Sequence, residues 1–428
     1  MTNFAIISLG CPKNLVDSEK VVATLTQSGY TLVPENTNEE LVILNTCAFI
    51  TSAIEETLDN INDLIARKKQ GSLKYLVVMG CFSSRYQEEV LSKEIPEVDL
   101  WLPIKDEQKV VQAVSTLLNI KPVISQKNKL YHKLNESHFS YLKISEGCNN
   151  HCTYCTIPKI RGSYSSKSIE EVLKDARQQI SLGAKELIVI AEDTTEWGTD
   201  IFGKPSLHIL LSELAQLEVN WLRVLYAYPS KITPALIETI KQNPKICHYL
   251  DLPIQHVSNH ILKNMNRKYT KESLISLLKT LKEEIPDIVL RTSLILGFPG
   301  ETAADQNELL TFIEQGFFDL VGCFPYSDEE GTPAIRKKNK VSQKLTHKRI
   351  QEIMISQKNN QQKLNQKHLG KTLDFVYEGN GYGRTYRDAP DIDGQLILKG
   401  PIKKLQVGSF YQTQIQKLKD YDLVGRVN

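Results

Sequence analysis

Cys148, Cys152 and Cys155 fall in a C-x3-C-x2-C spacing inside the stretch Glu146-Gly-Cys-Asn-Asn-His-Cys-Thr-Tyr-Cys-Thr-Ile-Pro158. Thiolates this close in the chain can converge on one soft-metal centre. A four-iron, four-sulfur cluster normally takes four cysteines, so three ligands leave one iron open to a small molecule. Structural zinc, with His151 as fourth ligand, is the alternative. His151 abuts Cys152, however, and adjacent side chains have difficulty reaching one metal together. A disulfide does not suit a chain of intracellular character. The three-ligand count favours iron–sulfur chemistry.

A second set of three is dispersed. Cys11, Cys47 and Cys81 each follow directly on an apolar run, in Leu9-Gly10-Cys11, Asn45-Thr46-Cys47 and Met79-Gly80-Cys81. Free cysteine is often a buried core residue, and one such cysteine would be read that way. Three at the same strand-end position, two of them after glycine, point to a second metal site, again with three ligands. Cys247 and Cys323 have no partner at ligand spacing and read as core thiols.

The elements that would carry these residues alternate. Phe4–Leu9, Leu41–Leu44 and Tyr75–Met79 read as strands, with helices over Asp17–Gln27 and Ile54–Ala66 between them. That order predicts a parallel sheet, which brings the three strand ends and their cysteines to one edge, where open α/β sheets bind ligands. Lys121–His138 is polar and lysine-rich, a linker. Strand-helix alternation then resumes, with strands over Phe139–Ile144, Glu186–Ala191, Trp221–Ala227, Tyr249–Pro253, Val289–Leu296 and Leu320–Phe324. The Cys148 loop leaves the carboxyl end of the first of these, the end on which α/β barrels place their chemistry.

From Arg336 to Lys371 there are eleven Lys or Arg against one acid, Glu352, and Val341, Leu345, Ile350, Ile353 and Met354 roughly fit one helical face. Such a run is either the solvated face of a connecting helix or a contact surface for RNA. Leu373–Tyr377, Gln395–Leu398, Phe410–Leu418 and Leu423–Val427 are short strands separated by glycine turns, as in a small antiparallel barrel.

The expected fold class is α/β. Residues 1–120 form a parallel α/β domain, 121–138 a linker, 139–335 a partial (β/α)6 barrel, 336–371 a basic connecting helix and 372–428 an OB-like β-barrel. A net charge of +2 over 428 residues makes any nucleic-acid surface local rather than global. No run approaches the roughly 20 apolar residues of a membrane span. The first residues lack the basic and apolar regions of a signal peptide. The expected compartment is the cytoplasm, and no membrane partner is expected.

The C-x3-C-x2-C spacing, with Tyr154 before the third cysteine, resembles the radical S-adenosylmethionine (SAM) enzymes. That resemblance implies a cluster whose open iron chelates SAM and, once reduced, cleaves it to methionine and a 5′-deoxyadenosyl radical. It also implies cofactor contacts at strand ends. Tyr154 lies within the cysteine motif. Glu192 occupies the position that binds the methionyl amine. Ser293 and Gly297 lie in Ser293-Leu-Ile-Leu-Gly-Phe-Pro-Gly-Glu301, like the strand that meets ribose and adenine. For Glu192, Ser293 and Gly297 the residues taken alone favour ordinary strand-end turn chemistry. His256, in Pro253-Ile-Gln-His256, is a candidate catalytic or substrate-positioning group, with a structural histidine as the alternative.

The N-terminal pattern resembles the methylthiotransferase family, whose first domain holds a second four-iron cluster through three cysteines; here these are Cys11, Cys47 and Cys81. Ser8-Leu-Gly-Cys-Pro-Lys-Asn-Leu-Val-Asp-Ser-Glu19 resembles the branch that modifies a ribosomal protein, the RimO type, whereas the tRNA-modifying MiaB type typically has Gln-Met-Asn after the first cysteine. The tail resembles a TRAM domain, usually an RNA binder. Its Ala389-Pro-Asp-Ile-Asp-Gly394 run resembles the signature of the RimO branch.

The resemblance implies two 4Fe-4S clusters and SAM as cofactors. The implied reaction is methylthiolation of the β-carbon of an aspartate in ribosomal protein S12 of the small subunit, with tRNA adenosine as the rival substrate. It also implies an electron donor such as flavodoxin or ferredoxin, and a sulfur source. Asp388, Asp391 and Asp393 are read as an acidic loop that would bind the basic ribosomal protein.

Overall fold

A computed structural model describes residues 2–103, 107–120 and 132–427; most of the expected linker, residues 121–131, lies outside them. The chain divides into two compact units that do not follow chain order. The first comprises Met1–Glu136, Glu146–Ser165 and Ser327–Thr332, and the second comprises Ser137–Ser145, Ser166–Tyr326 and Pro333–Asn428. The Cys148 loop therefore belongs to the same unit as the N-terminal sheet.

In the first unit, five parallel strands are ordered β2-β1-β3-β4-β5, with β1 Asn3–Ser8, β2 Thr31–Leu32, β3 Leu41–Thr46, β4 Tyr75–Gly80 and β5 Leu100–Pro103. Leu-Val-Ile-Leu in β3 is buried at every position, as expected of a parallel strand covered on both faces. Helices α1 (Pro12–Gln27) and α2 (Thr51–Lys69) cover the sheet. Helix α1 begins five residues before the expected Asp17, because Cys11 serves as its N-cap residue and Pro12 opens its first turn. The fully buried Asn45 of β3 ties that turn down, donating to Asn14 O at 2.8 Å and to Ser18 Oγ at 2.9 Å.

In the second unit, six parallel strands run in the order β11-β10-β9-β8-β7-β6. They are β6 Phe139–Lys143, β7 Glu186–Ile190, β8 Trp221–Val224, β9 Ile246–Asp251, β10 Val289–Leu296 and β11 Leu320–Pro325. One face carries Leu142, Leu187, Val189, Leu222, Leu250 and Leu290 into the helices, forming the largest apolar core of the molecule. This is the expected partial barrel.

The other face is ionic. Arg223 Nε donates to Glu186 Oε1 at 2.7 Å, and Arg384 meets Glu186 Oε2 at 2.8 Å. Arg291 bridges Asp251 at 2.9 Å and Asp393 at 3.1 Å, while Tyr249 OH donates to Asp393 at 2.7 Å. Arg384 and Asp393 come from the C-terminal closed barrel, made of β12 Thr372–Gly379, β13 Tyr382–Thr385, β14 Leu396–Lys399, β15 Phe410–Lys419 and β16 Asp422–Arg426. Its pairings are antiparallel except β14 with β16, which run parallel.

Two expectations are corrected here. The acidic loop is not presented whole to a partner. Asp388 and the carboxylate of Asp393 are buried; Asp388 accepts from Thr385 Oγ1 at 2.9 Å, and Asp393 serves Arg291 and Tyr249. Only Asp391 is exposed, at φ 68°, and it accepts from Tyr141 OH at 3.3 Å. Buried carboxylates persist where they are paired: Thr385 of the barrel serves Asp388, and two strands of the central sheet serve Asp393.

The helix Gln343–Gln366 is present, but the expected apolar stripe makes only part of its buried face, through Ile353 and Ile350. Leu345 is exposed, and the buried positions are Thr346, Arg349, Ile353, Gln357, Asn360, Gln361 and Asn365. Gln357 donates to Phe318 O and Asp319 O, Asn360 to Ile313 O, and Arg349 to Glu301 Oε1 at 2.6 Å. Side-chain amides share the docking with Ile353, where apolar groups were expected to do it alone.

Candidate functional site

The register of the N-terminal sheet brings the dispersed cysteines together. Ser8 pairs with Asn45 and Asn45 with Met79, so β1, β3 and β4 end level and the chain reaches Cys11, Cys47 and Cys81 within three residues of that line. Cys11 caps α1 and Cys81 opens the short helix α3 (Cys81–Arg85).

The two preceding glycines are sterically required. Gly10 has φ +85°, and a Cβ on it would lie 2.6 Å from Cys47 Cβ and 3.0 Å from Cys47 Sγ. Gly80 has φ +108°, and a Cβ there would lie 2.4 Å from Asn45 Oδ1. Both positions need a residue without a side chain.

Cys47 and Cys81 are buried, and Cys11 is half-buried. Burial raises the thiol pKa of Cys47, and it pushes Cys81 up to about 12 against the opposing pull of the Arg161 guanidinium. The charges of Cys11 and Cys47 add to the upward push on Cys81, so the three sulfurs sense one another. Among the described residues no three His, Cys, Asp or Glu side chains close on a single metal ion. A cluster, in which each thiolate takes a different iron, spaces its ligands more widely. Three thiols around a glycine-lined notch fit that donor set.

The second triad is built by a loop. Cys148 N–H bonds to Gly162 O at 3.2 Å, and Cys155 N–H to Cys152 O at 3.1 Å. Two N–H groups point at sulfur: Asn150 Nδ2 at 3.5 Å from Cys148 Sγ, and Ile157 N at 3.4 Å from Cys155 Sγ. Such donors stabilise thiolate or cluster sulfur. All three cysteines and Tyr154 are half-buried, whereas His151 is exposed at φ 49°, which does not favour its service as a zinc ligand.

Sequence reading missed a buried polar knot in this unit. The Arg161 guanidinium reaches Asn14 Oδ1 at 2.6 Å, Glu146 Oε1 at 2.7 Å, Asp17 Oδ2 at 3.1 Å and Cys81 Sγ at 3.9 Å. Asn14 and Asp17, one helical turn apart at the start of α1, were the available signal.

The remaining candidates lie in the second unit. Glu192 is half-buried just past β7, and Ser293 is half-buried in β10. Gly297 has a structural reason of its own: a Cβ there would lie 2.1 Å from Thr346 Oγ1, and its N–H is given to Glu301 Oε2 at 2.7 Å. His256 is fully buried and accepts from Ser258 N–H at Nδ1, 3.0 Å away, so Nε2 carries the proton. Burial lowers its pKa to about 4, which keeps the imidazole neutral. Cys247 is buried and Cys323 packs against the core, as expected of both.

Three family models match the chain: the uncharacterized protein family UPF0004 over residues 3–103, the radical SAM superfamily over residues 142–313, and the TRAM domain over residues 369–427. Among curated relatives, a protein of Clostridioides difficile (strain 630) is 43% identical, covering 100% of this chain and 99% of its own. One from Alkaliphilus oremlandii is 42% identical over 99% of both chains, and one from Geobacter sulfurreducens is 42% identical over 99% of this chain and 98% of its own. All three carry the name ribosomal protein uS12 methylthiotransferase RimO.

Two solved structures share the fold. The radical SAM methyltransferase TsrM of Kitasatospora setae has a TM-score of 0.57 at 12% identity, covering 78% of this chain and 74% of its own. The cobalamin-dependent radical SAM enzyme OxsB has a TM-score of 0.52 at 15% identity, covering 83% and 56%. With relatives this similar over its full length, and with a cysteine triad in each of the first two matching segments, the chain belongs to the RimO type of the radical SAM methylthiotransferase family.

Proposed function

We propose that this protein adds a methylthio group to the β-carbon of one aspartate of ribosomal protein uS12, using two four-iron, four-sulfur clusters and SAM. The observation that carries the reading is the pair of cysteine triads in one compact unit, each with three thiols rather than four. When bound, these groups supply reductive cleavage of SAM, removal of the aspartate hydrogen and delivery of sulfur and methyl; an unactivated C–H bond offers no acidic proton to a side-chain base.

The chain's own part is placement. Cys148, Cys152 and Cys155 hold the SAM-cleaving cluster, with Asn150 and the Ile157 N–H donating to its sulfur ligands. Cys11, Cys47 and Cys81 hold the second cluster, and Gly10 keeps the notch open. Tyr154, Glu192 and Ser293 bind SAM; Gly297, its N–H already engaged, contributes only its lack of a side chain. His256 stays neutral and acts as a positioning group behind the strand end. A flavodoxin or ferredoxin supplies electrons and a separate sulfur source replenishes the second cluster.

Of the acidic loop, only the exposed Asp391 is left to meet the substrate protein. The exposed lysines of the Gln343–Gln366 helix, Lys344, Lys348 and Lys363, are candidates for contact with RNA near the substrate protein. The working compartment is the cytoplasm, where ribosomal proteins are met, and no helix among the described residues is long and apolar enough to cross a membrane.

Mass spectrometry of ribosomal proteins and tRNA from cells with and without the gene tests the reading. The methylthio mass is expected on an aspartate of uS12 only when the gene is present. Its appearance on tRNA adenosine instead would move the chain to the rival substrate.

A further inference from the structure

Arg161 lies six residues beyond the last cysteine of the Cys148 loop, yet its guanidinium ends at the other triad. Its side chain is only 1% exposed. One terminal nitrogen, Nη1, is held by Asp17 and Glu146. The other, Nη2, points at Asn14 Oδ1 and Cys81 Sγ, and Cys81 itself donates to Asn14 Oδ1 at 3.5 Å. The next residue, Gly162, accepts the backbone N–H of Cys148. One short path therefore runs from Cys148 through Gly162 and Arg161 to Cys81.

A fixed, buried guanidinium so close to a thiolate has two physical consequences. Three thiolates and a cluster bring negative charge into a site where water is scarce, and burying charge without a partner is costly. Cluster potentials follow net charge and hydrogen bonds to sulfur. A positive donor favours the more negative, reduced state.

Building on the cluster reading above, we propose that Arg161 is a positioning residue of the N-terminal cluster. It supplies the positive charge and the sulfur-directed donor that hold this cluster's potential up, and it fixes the N-terminal site to the Cys148 loop through Gly162. The two carboxylates set the direction of the guanidinium. Lysine at this position would retain charge but could not serve Asp17, Glu146, Asn14 and Cys81 at once from one ammonium.

The test uses the full chain carrying Cys148→Ala, Cys152→Ala and Cys155→Ala, so that only the N-terminal cluster is read. Iron content and midpoint potential, from redox-poised electron paramagnetic resonance, are measured with Arg161, Arg161→Lys and Arg161→Gln. The expected result is retained iron with a more negative potential in Arg161→Gln and a smaller shift of the same sign in Arg161→Lys. A role confined to packing would leave the potential of iron-loaded protein unmoved. Unchanged potential in iron-loaded Arg161→Gln overturns the proposal. If Arg161→Gln does not fold or load, Arg161→Lys decides: a negative shift in iron-loaded protein supports the proposal, and a parent-like potential or a failure to load iron overturns it. A parent chain that binds no iron defeats the cluster reading itself, and the inference about Arg161 with it.

Discussion

The two cysteine triads reach the same ligand count by opposite constructions. Cys11, Cys47 and Cys81 are far apart in the chain and meet only because three parallel strands end level. Cys148, Cys152 and Cys155 are neighbours in one loop, held by backbone bonds between Cys148 and Gly162 and between Cys152 and Cys155. The first site is closed: Cys47 and Cys81 are buried and a guanidinium sits beside Cys81. The second is half-buried throughout. A cluster that must admit SAM needs an approachable open iron, while a cluster that stores sulfur for transfer gains from exclusion of water. The dispersed triad also depends on its sheet, whereas the loop triad carries much of its geometry locally.

The largest effect that tests this contrast is all-or-none. Cys148, Cys152 and Cys155 replaced by alanine should abolish formation of 5′-deoxyadenosine and halve the iron of a reconstituted chain, from about eight to about four. Continued SAM cleavage would mean the sites are wrongly assigned.

A control outside both triads comes next. Glu186→Gln removes the one acid shared by Arg223 and Arg384 beneath the central sheet. Leaving buried Arg223 without its counter-charge, while Arg384 keeps Glu378 alone, should cost about 3–5 kcal/mol, read as a lower denaturant midpoint. Iron content of the N-terminal unit should stay constant in chains that remain folded; a loss there would erase the distinction between the units.

Acid offers a third probe. His256 has a folded pKa of about 4 against an ordinary 6.5. The unfolded chain therefore binds more protons in that window, and stability should fall as pH drops from about 6.5 to about 4. The contribution is ~3 kcal/mol at full extent. His256→Gln should flatten that part of the stability–pH curve, and an unchanged curve would contradict the neutral, buried assignment.

The smallest expected effects compare glycines. Gly10→Ala places a Cβ against Cys47 at positive φ, a strain of roughly 1–3 kcal/mol, and should deplete N-terminal iron. Gly162→Ala, with φ +81° and nothing within 4 Å of a Cβ, should cost only about 1–2 kcal/mol and leave iron content alone. Equal iron loss in both would show that the two sites are equally rigid.

Much of this contrast was legible in the chain. The apolar runs before Cys11, Cys47 and Cys81 gave three neighbouring parallel strands, and the six central strands were found with their ends shifted by a few residues. Strands β2 and β5 escaped because two and four residues carry too little periodicity. Helix Gln343–Gln366 is legible, but of its docking face only Ile350 and Ile353 are, since amides bonded to backbone carbonyls leave no hydrophobic pattern. The aspartates of the 388–393 loop were read as surface because unpaired carboxylates belong there. The partners of Asp393, Arg291 and Tyr249, lie about a hundred residues or more away and could not be paired with it by spacing. Arg161 was invisible for the same reason: its neighbours come from α1 and α3.

The most direct measurement separates the two triads by product. Full-length chain with Cys11, Cys47 and Cys81 changed to alanine is incubated anaerobically with SAM, a reductant and uS12, and both 5′-deoxyadenosine and the mass of uS12 are followed. The division of labour described here predicts continued formation of 5′-deoxyadenosine with no methylthio mass on uS12. Methylthiolated uS12 from that variant would contradict it.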